Sequence, residues 1–140
     1  MKTLLEHNFN GLQHIGIPVT EIQRSVNFYR RLGFVPVMEK TFPEGDGETT
    51  AVMMQRAGVI IELYQLPQSQ LEEIKNRRDG AVNHIAFSVN DIQAAFNEML
   101  ATGEDILEDK PVHLDFWENG CKYFAIRGPD GEKLEFNQIL

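Results

Sequence analysis

The chain has 140 residues, 42% hydrophobic and 24% charged, with a formal net charge of −8, which suits a folded globular chain of single-domain length. The acidity excludes a nucleic-acid groove, whose phosphates need clustered cations, and no apolar run reaches the ~20 residues that span a bilayer. One cysteine, Cys121, excludes an internal disulfide, and MKTLLEHNFNG at the N-terminus lacks a secretion signal's apolar core, so a cytoplasmic protein is expected.

The first patterned stretch is LQHIGIPVTEIQRSVNFYRRLG at 12–33. Ile15, Ile17 and Val19 alternate as on a strand. Thr20 with Gln23 forms a capping-box pattern, after which Ile22, Val26, Tyr29 and Leu32 recur at helical spacing up to Gly33. Extended stretches are expected at about 34–40, 49–56 and 59–65, with the turn-rich FPEGDGE as a loop between the first two. SQLEEIKNRR at 69–78 opens on a Ser-x-x-Glu box, Ser69 to Glu72, and predicts a short linker helix.

VNHIAFSVNDIQAAFNEMLATG at 82–103 then says the same again. Ile85, Phe87 and Val89 alternate, Asn90 with Gln93 repeats the capping pattern, and Ile92, Phe96, Met99 and Leu100 form a helical stripe ending at Gly103. Further extended stretches are expected at about 105–112, 120–127 and 132–138, the last two joined by a GPDG turn at 128–131. Side by side, His14 meets His84, Ile22 meets Ile92, Asn27 meets Asn97 and Gly33 meets Gly103, a fixed offset that marks an internal repeat. The plan is α+β: two tandem βαβββ modules, at about 11–66 and 81–139, in one domain spanning 1–140.

Alternation makes the histidines informative. His14 shares its face with Leu12, Gly16 and Pro18, and His84 with Val82, Ala86 and Ser88, while the bulky Ile, Phe and Val point the other way. Two carboxylates stand out likewise: Glu62 interrupts the apolar GVIIELYQL, and Glu135 lies between Leu134 and Phe136. Aligning Gly58 with Gly131 pairs Glu62 with Glu135 and Gln65 with Gln138. Taken singly, each His reads as a hydrogen-bonded structural residue, and Glu62 has Arg56 and Lys122 as alternative partners. Taken together, two His and two Glu at repeat-equivalent positions point to one divalent cation, because an isolated buried carboxylate costs several kcal/mol. His7 and His113 have no repeat partner and are expected at the surface, and Cys121 as a packing residue. Tyr64 and Asn137, on the ligand faces, and Trp117, in a loop, are candidate substrate contacts.

HIGIPVTEIQRSVNFYRRLGF, VIIEL, NHIAFSVNDIQAAF and FAIRGPDGEKLEF together resemble the vicinal oxygen chelate superfamily, which includes glyoxalase I, bleomycin-resistance proteins, dioxygenases and methylmalonyl-CoA epimerase. The resemblance implies paired βαβββ modules forming a curled mixed sheet around a metal site. It implies His14, Glu62, His84 and Glu135 as ligands of nickel, cobalt, zinc or manganese. The two-His two-Glu set is similar to glyoxalase I, implying a lyase or isomerase that transfers a proton next to a carbonyl through an enediolate, with Glu135 or Glu62 as the base. Glyoxalase I has Arg and Asn for glutathione where this chain has Pro18 and Leu66, which implies a different substrate pocket. The alternatives are an epimerase of a small hydroxy-carbonyl or sugar-derived compound, and a ligand-sequestering protein of the bleomycin-resistance kind. A homodimer acting on a small molecule is expected in each case.

Overall fold

The computed structural model describes residues 3–31, 33–77, 82–127 and 133–140. Leu32, Arg78 and the GPDG turn expected at 128–131 lie outside the described residues. The chain divides into two compact units, His14–Asn83, and Met1–Gln13 with His84–Leu140. The fold is α+β, with the βαβββ order occurring twice.

The first unit takes β1 (Phe9–Pro18) from His14 onward, then α1 (Ile22–Arg31), β2 (Val35–Glu44), β3 (Gly47–Arg56) and β4 (Val59–Gln65). Its strand order is β2-β3-β4-β1, antiparallel except for the parallel pairing of β1 with β4. The loop expected over FPEGDGE is instead the end of a hairpin. Phe42↔Thr49, Pro43↔Glu48 and Glu44↔Gly47 continue the ladder, the Thr49 hydroxyl donates to the Glu44 carboxylate, and the chain reverses at Gly45–Asp46. Gly45 takes φ +58°, which a side chain would resist. One turn of 3-10 helix (Gln68–Gln70) leads into α2 (Leu71–Asn76), shorter than the expected linker helix. No Ser69 cap forms, because its hydroxyl donates to Asp46 Oδ1 at 2.9 Å.

The second unit holds β5 (His84–Val89), α3 (Ile92–Thr102), β6 (Val112–Leu114), β7 (Cys121–Arg127) and β8 (Lys133–Ile139) in the order β5-β8-β7-β6. Here β5 and β8 run parallel and the other pairs antiparallel. The strand expected at 105–112 reduces to a bridge between Ile106 and Ile126 before β6. The Ala125 N–H is taken by the Glu108 side chain at 2.7 Å, which interrupts a backbone ladder, and Pro111 has no N–H to offer.

Both helices start one residue later than the capping patterns imply. The Glu21 carboxylate, in place of Thr20, accepts from the N–H groups of Gln23 and Arg24 at 3.0 and 2.8 Å. Asp91, in place of Asn90, accepts from Ala94 N–H at 2.9 Å from an extended backbone. One further N–H of each first turn, that of its first residue, is met from the unit's own sheet. Gln65 at the end of β4 accepts from Ile22 N–H at 2.8 Å, and Gln138 near the end of β8 accepts from Ile92 N–H at 2.9 Å. The aligned glutamines are thus the bolts between strand and helix in each module.

Each helix covers the bulky face of its own sheet. Val26 of α1 lies with Val52, Met54, Ile61 and Leu63, and Ile17 and Val19 pack against them. In α3 the buried stripe is Ile92, Ala95, Phe96 and Met99, which meets Phe124 and Phe136. Leu100, expected in this stripe, is 64% exposed, because Ala95 completes the i, i+3, i+4, i+7 face. Among the described residues no helix is long and apolar enough to cross a membrane.

Candidate functional site

The face of each sheet away from its helix carries the polar residues. In the first unit Gly16 of β1 lies opposite Glu62 of β4, and His14 is two residues back on the same face. With no side chain at Gly16, the imidazole and carboxylate approach one another: His14 Nε2 is 3.5 Å from Glu62 Oε2. The second unit repeats the construction with Ala86 opposite Glu135. His84 Nε2 is 3.6 Å from Glu135 Oε2. All four side chains are buried, His14 to 2% and His84 to 7% exposure.

These separations are informative. They exceed the ~2.7–3.2 Å of an N–H···O hydrogen bond. Two donors bound ~2.1 Å from one ion at octahedral or tetrahedral angles stand ~3.0–3.4 Å apart, close to what both units show. Imidazole and carboxylate are the donors that zinc, nickel, cobalt and manganese accept. Each pair could therefore supply two neighbouring ligands to a divalent ion.

The remaining expected residues fall as follows. Tyr64 is buried, and its backbone carbonyl accepts from Val19 N–H at 2.9 Å. Trp117 sits in a turn with φ +65°, and its buried indole N–H meets no acceptor among the described residues. Asn137 is 3% exposed and lies against Glu135, donating from Nδ2 to Oε1 at 2.9 Å. Gln13, which the repeat does not single out, donates from Nε2 to Asn137 Oδ1 at 3.0 Å. His7 and His113 are exposed, and Cys121 is fully buried.

The sequence profile of the Glyoxalase/Bleomycin resistance protein/Dioxygenase superfamily matches residues 11–136, nearly the whole repeat. The chain belongs to this superfamily. The chain is also 30% identical over 129 residues to the uncharacterized protein YwbC of Bacillus subtilis (strain 168), covering 91% of this chain and 96% of that one. Among solved structures, methylmalonyl-CoA epimerase from Mycobacterium tuberculosis superposes with a TM-score of 0.79 at 19% identity, covering 100% of this chain and 93% of that one. The hypothetical protein BH1468 from Bacillus halodurans C-125 gives a TM-score of 0.76 at 23% identity, with 96% of each chain covered. A variant of Streptomyces coelicolor methylmalonyl-CoA epimerase, solved with 2-nitronate-propionyl-CoA, gives 0.72 at 21% identity over 93% of this chain and 97% of that one. At these identities the likeness is one of fold.

Proposed function

We propose that this superfamily member is a divalent-metal-dependent enzyme that moves a proton on the carbon next to a carbonyl, with epimerisation as its reaction. The observation that carries the reading is the His–small–Glu constellation built twice, His14–Gly16–Glu62 and His84–Ala86–Glu135, each with the spacing of neighbouring metal ligands. The repeat makes His14, Glu62, His84 and Glu135 the proposed ligands of the ion. Bound there, a divalent ion supplies Lewis-acid polarisation of the carbonyl, which makes the neighbouring C–H acidic.

The chain's own groups do the rest. Epimerisation removes a proton and returns one to the same carbon, so it needs a base and an acid. Glu62 and Glu135 are two carboxylates at equivalent strand positions, each able to take a proton and give one. Burial keeps bulk water from quenching the carbanionic species. The fold likeness to the methylmalonyl-CoA epimerases supports this reaction and makes a 2-branched acyl-CoA thioester the first substrate to try. A second reading, isomerisation of the glyoxalase type, is favoured by the carboxylate at position 62 beside His14. It differs in returning the proton to the neighbouring carbon. A homodimer belongs to either reading, since Val35 and Val37 leave the outer strand β2 apolar and exposed.

Elemental analysis of protein purified without an affinity tag tests the site. About one divalent ion per chain is expected, lost in His84→Ala and Glu135→Ala. Incubation with methylmalonyl-CoA in D₂O tests the reaction: deuterium is expected at C2, and loaded enzyme that incorporates none refutes the epimerase reading for that substrate. Turnover of neither this thioester nor any hydroxy-carbonyl compound, together with absence of metal uptake, would leave a ligand-sequestering protein in its place.

A further inference from the structure

The carboxylate of Glu135 does not stand alone in its unit. Asn137, two residues along β8 on the same face, donates from Nδ2 to Glu135 Oε1 at 2.9 Å. The other partner of Nδ2 is Cys121 Sγ at 3.8 Å. Asn137 Oδ1 accepts from Gln13 Nε2 at 3.0 Å, and the same nitrogen lies 3.3 Å from the Asn137 backbone carbonyl. Chemistry fixes the sense of this chain. A carboxylate only accepts, so Asn137 must turn its NH₂ toward Glu135, its carbonyl then faces Gln13, and Gln13 must donate. Glu135 Oε1 is thereby held by the amide, and Oε2 lies 3.6 Å from His84 Nε2.

From this we infer that Gln13 and Asn137 are positioning residues for Glu135, with Gln13 bracing the far end of the Asn137 amide and Asn137 presenting Glu135 to the cation by one oxygen. The inference rests on the divalent-cation reading above. It moves Asn137 from a candidate substrate contact to a support, since its amide is engaged at both ends and 3% exposed. The groups that orient metal ligands typically change affinity about 10–100-fold when removed.

The deciding variant is Gln13→Glu. It keeps the shape of the side chain but as a carboxylate only accepts, so it cannot donate to Asn137 Oδ1 and competes with Glu135 for the Asn137 NH₂. Metal-free full-length protein is titrated with Co²⁺ alone, following the visible Co²⁺ spectrum and the dissociation constant, with far-UV circular dichroism confirming the fold. Gln13→Glu and Asn137→Leu are each expected to weaken Co²⁺ binding about tenfold or more and to alter the spectrum. Gln13→Glu should add nothing in an Asn137→Leu background, because it acts through Asn137. If Asn137→Leu fails to fold, Gln13→Glu alone still decides. Wild-type affinity and spectrum in folded Gln13→Glu, while Glu135→Gln loses the ion, would overturn the inference and leave the metal site standing. Absence of Co²⁺ binding by the wild type would overturn both.

Discussion

Replacing one His–Glu pair by apolar residues, His14→Leu with Glu62→Met, should have opposite consequences with and without metal. In metal-free protein the pair is a cost. Both groups are buried, and the hydration lost by a buried ion pair commonly outweighs the attraction between its members. Exchanging such a pair for apolar side chains of similar volume is neutral or stabilising, by up to about 4 kcal/mol. With an unfolding entropy near 2.1 cal/mol/K per residue, 140 residues give about 0.3 kcal/mol/K, so each kcal/mol moves Tm by about 3 °C. The variant should therefore melt at the wild-type temperature or up to ~13 °C above it in EDTA. With Co²⁺ at a hundred times its dissociation constant, the wild type should gain about 2.7 kcal/mol, or ~9 °C, and the variant none. Differential scanning calorimetry in both conditions reads this directly. A variant melting more than ~3 °C below the wild type in EDTA would show that the pair holds the fold together, and the reasoning from desolvation would be wrong.

Three further outcomes follow from the packing. Gln65→Ala and Gln138→Ala each strand one first-turn N–H, at Ile22 and Ile92, and should each cost about 1 kcal/mol in urea unfolding; a loss below a few tenths would show that water replaces the glutamine. Phe124→Ala empties a fully buried site between Phe96 and Phe136, so about 3–5 kcal/mol should be lost, and a midpoint unchanged in urea would contradict the described core. The Arg77 guanidinium, hydrogen-bonded at 2.7 and 2.8 Å, holds the Glu73 carboxyl below its ordinary range. Its contribution is thus present above the unfolded carboxylate value and lost as pH falls through the lowered folded one. NMR titration should show the Glu73 value rise in Arg77→Ala, and no rise would remove the pair.

What was legible in the sequence was what repeats with the strand and helix periods. His14 and His84 stood out because the face they share with Gly16 and Ala86 lacks bulk, and the ladders put those small residues opposite Glu62 and Glu135. What was missed depends on which of two adjacent polar residues wins a local contest. Thr20 and Asn90 make good caps on paper, but Glu21 and Asp91 sit one residue nearer the free N–H groups and have charged oxygens to offer them. FPEGDGE reads as loop by composition, yet the Thr41–Thr50 and Thr49–Glu44 side-chain bonds across the strands carry the hairpin to its two-residue turn. Gln13 left one trace, a polar residue in line with Ile15, Ile17 and Val19, but alternation alone says nothing of a partner 124 residues away.

The duplication itself explains why the two His–Glu pairs match in geometry and differ in support. A βαβββ unit needs its helix seated on one sheet face, and the glutamine after each Glu secures that seating three residues from the carboxylate. The strand carrying Glu62 or Glu135 is thus pinned by the same contact that starts the helix, which fixes the backbone under each carboxylate without using the polar face. Side chains on that face were then free to diverge. Asn137 occupies in the second unit the place of Tyr64 in the first, and it brings Gln13 with it. If the proposed chemistry needs one carboxylate held as a ligand and another available to exchange protons, this divergence is where such a division would arise. Glu135, with one oxygen fixed by an amide, is the one suited to stay. Comparing solvent deuterium exchange in Glu62→Gln and Glu135→Gln tests the division. Exchange should fail in Glu62→Gln although the ion is retained, whereas Glu135→Gln should lose the ion itself; the reverse pattern would assign the roles the other way.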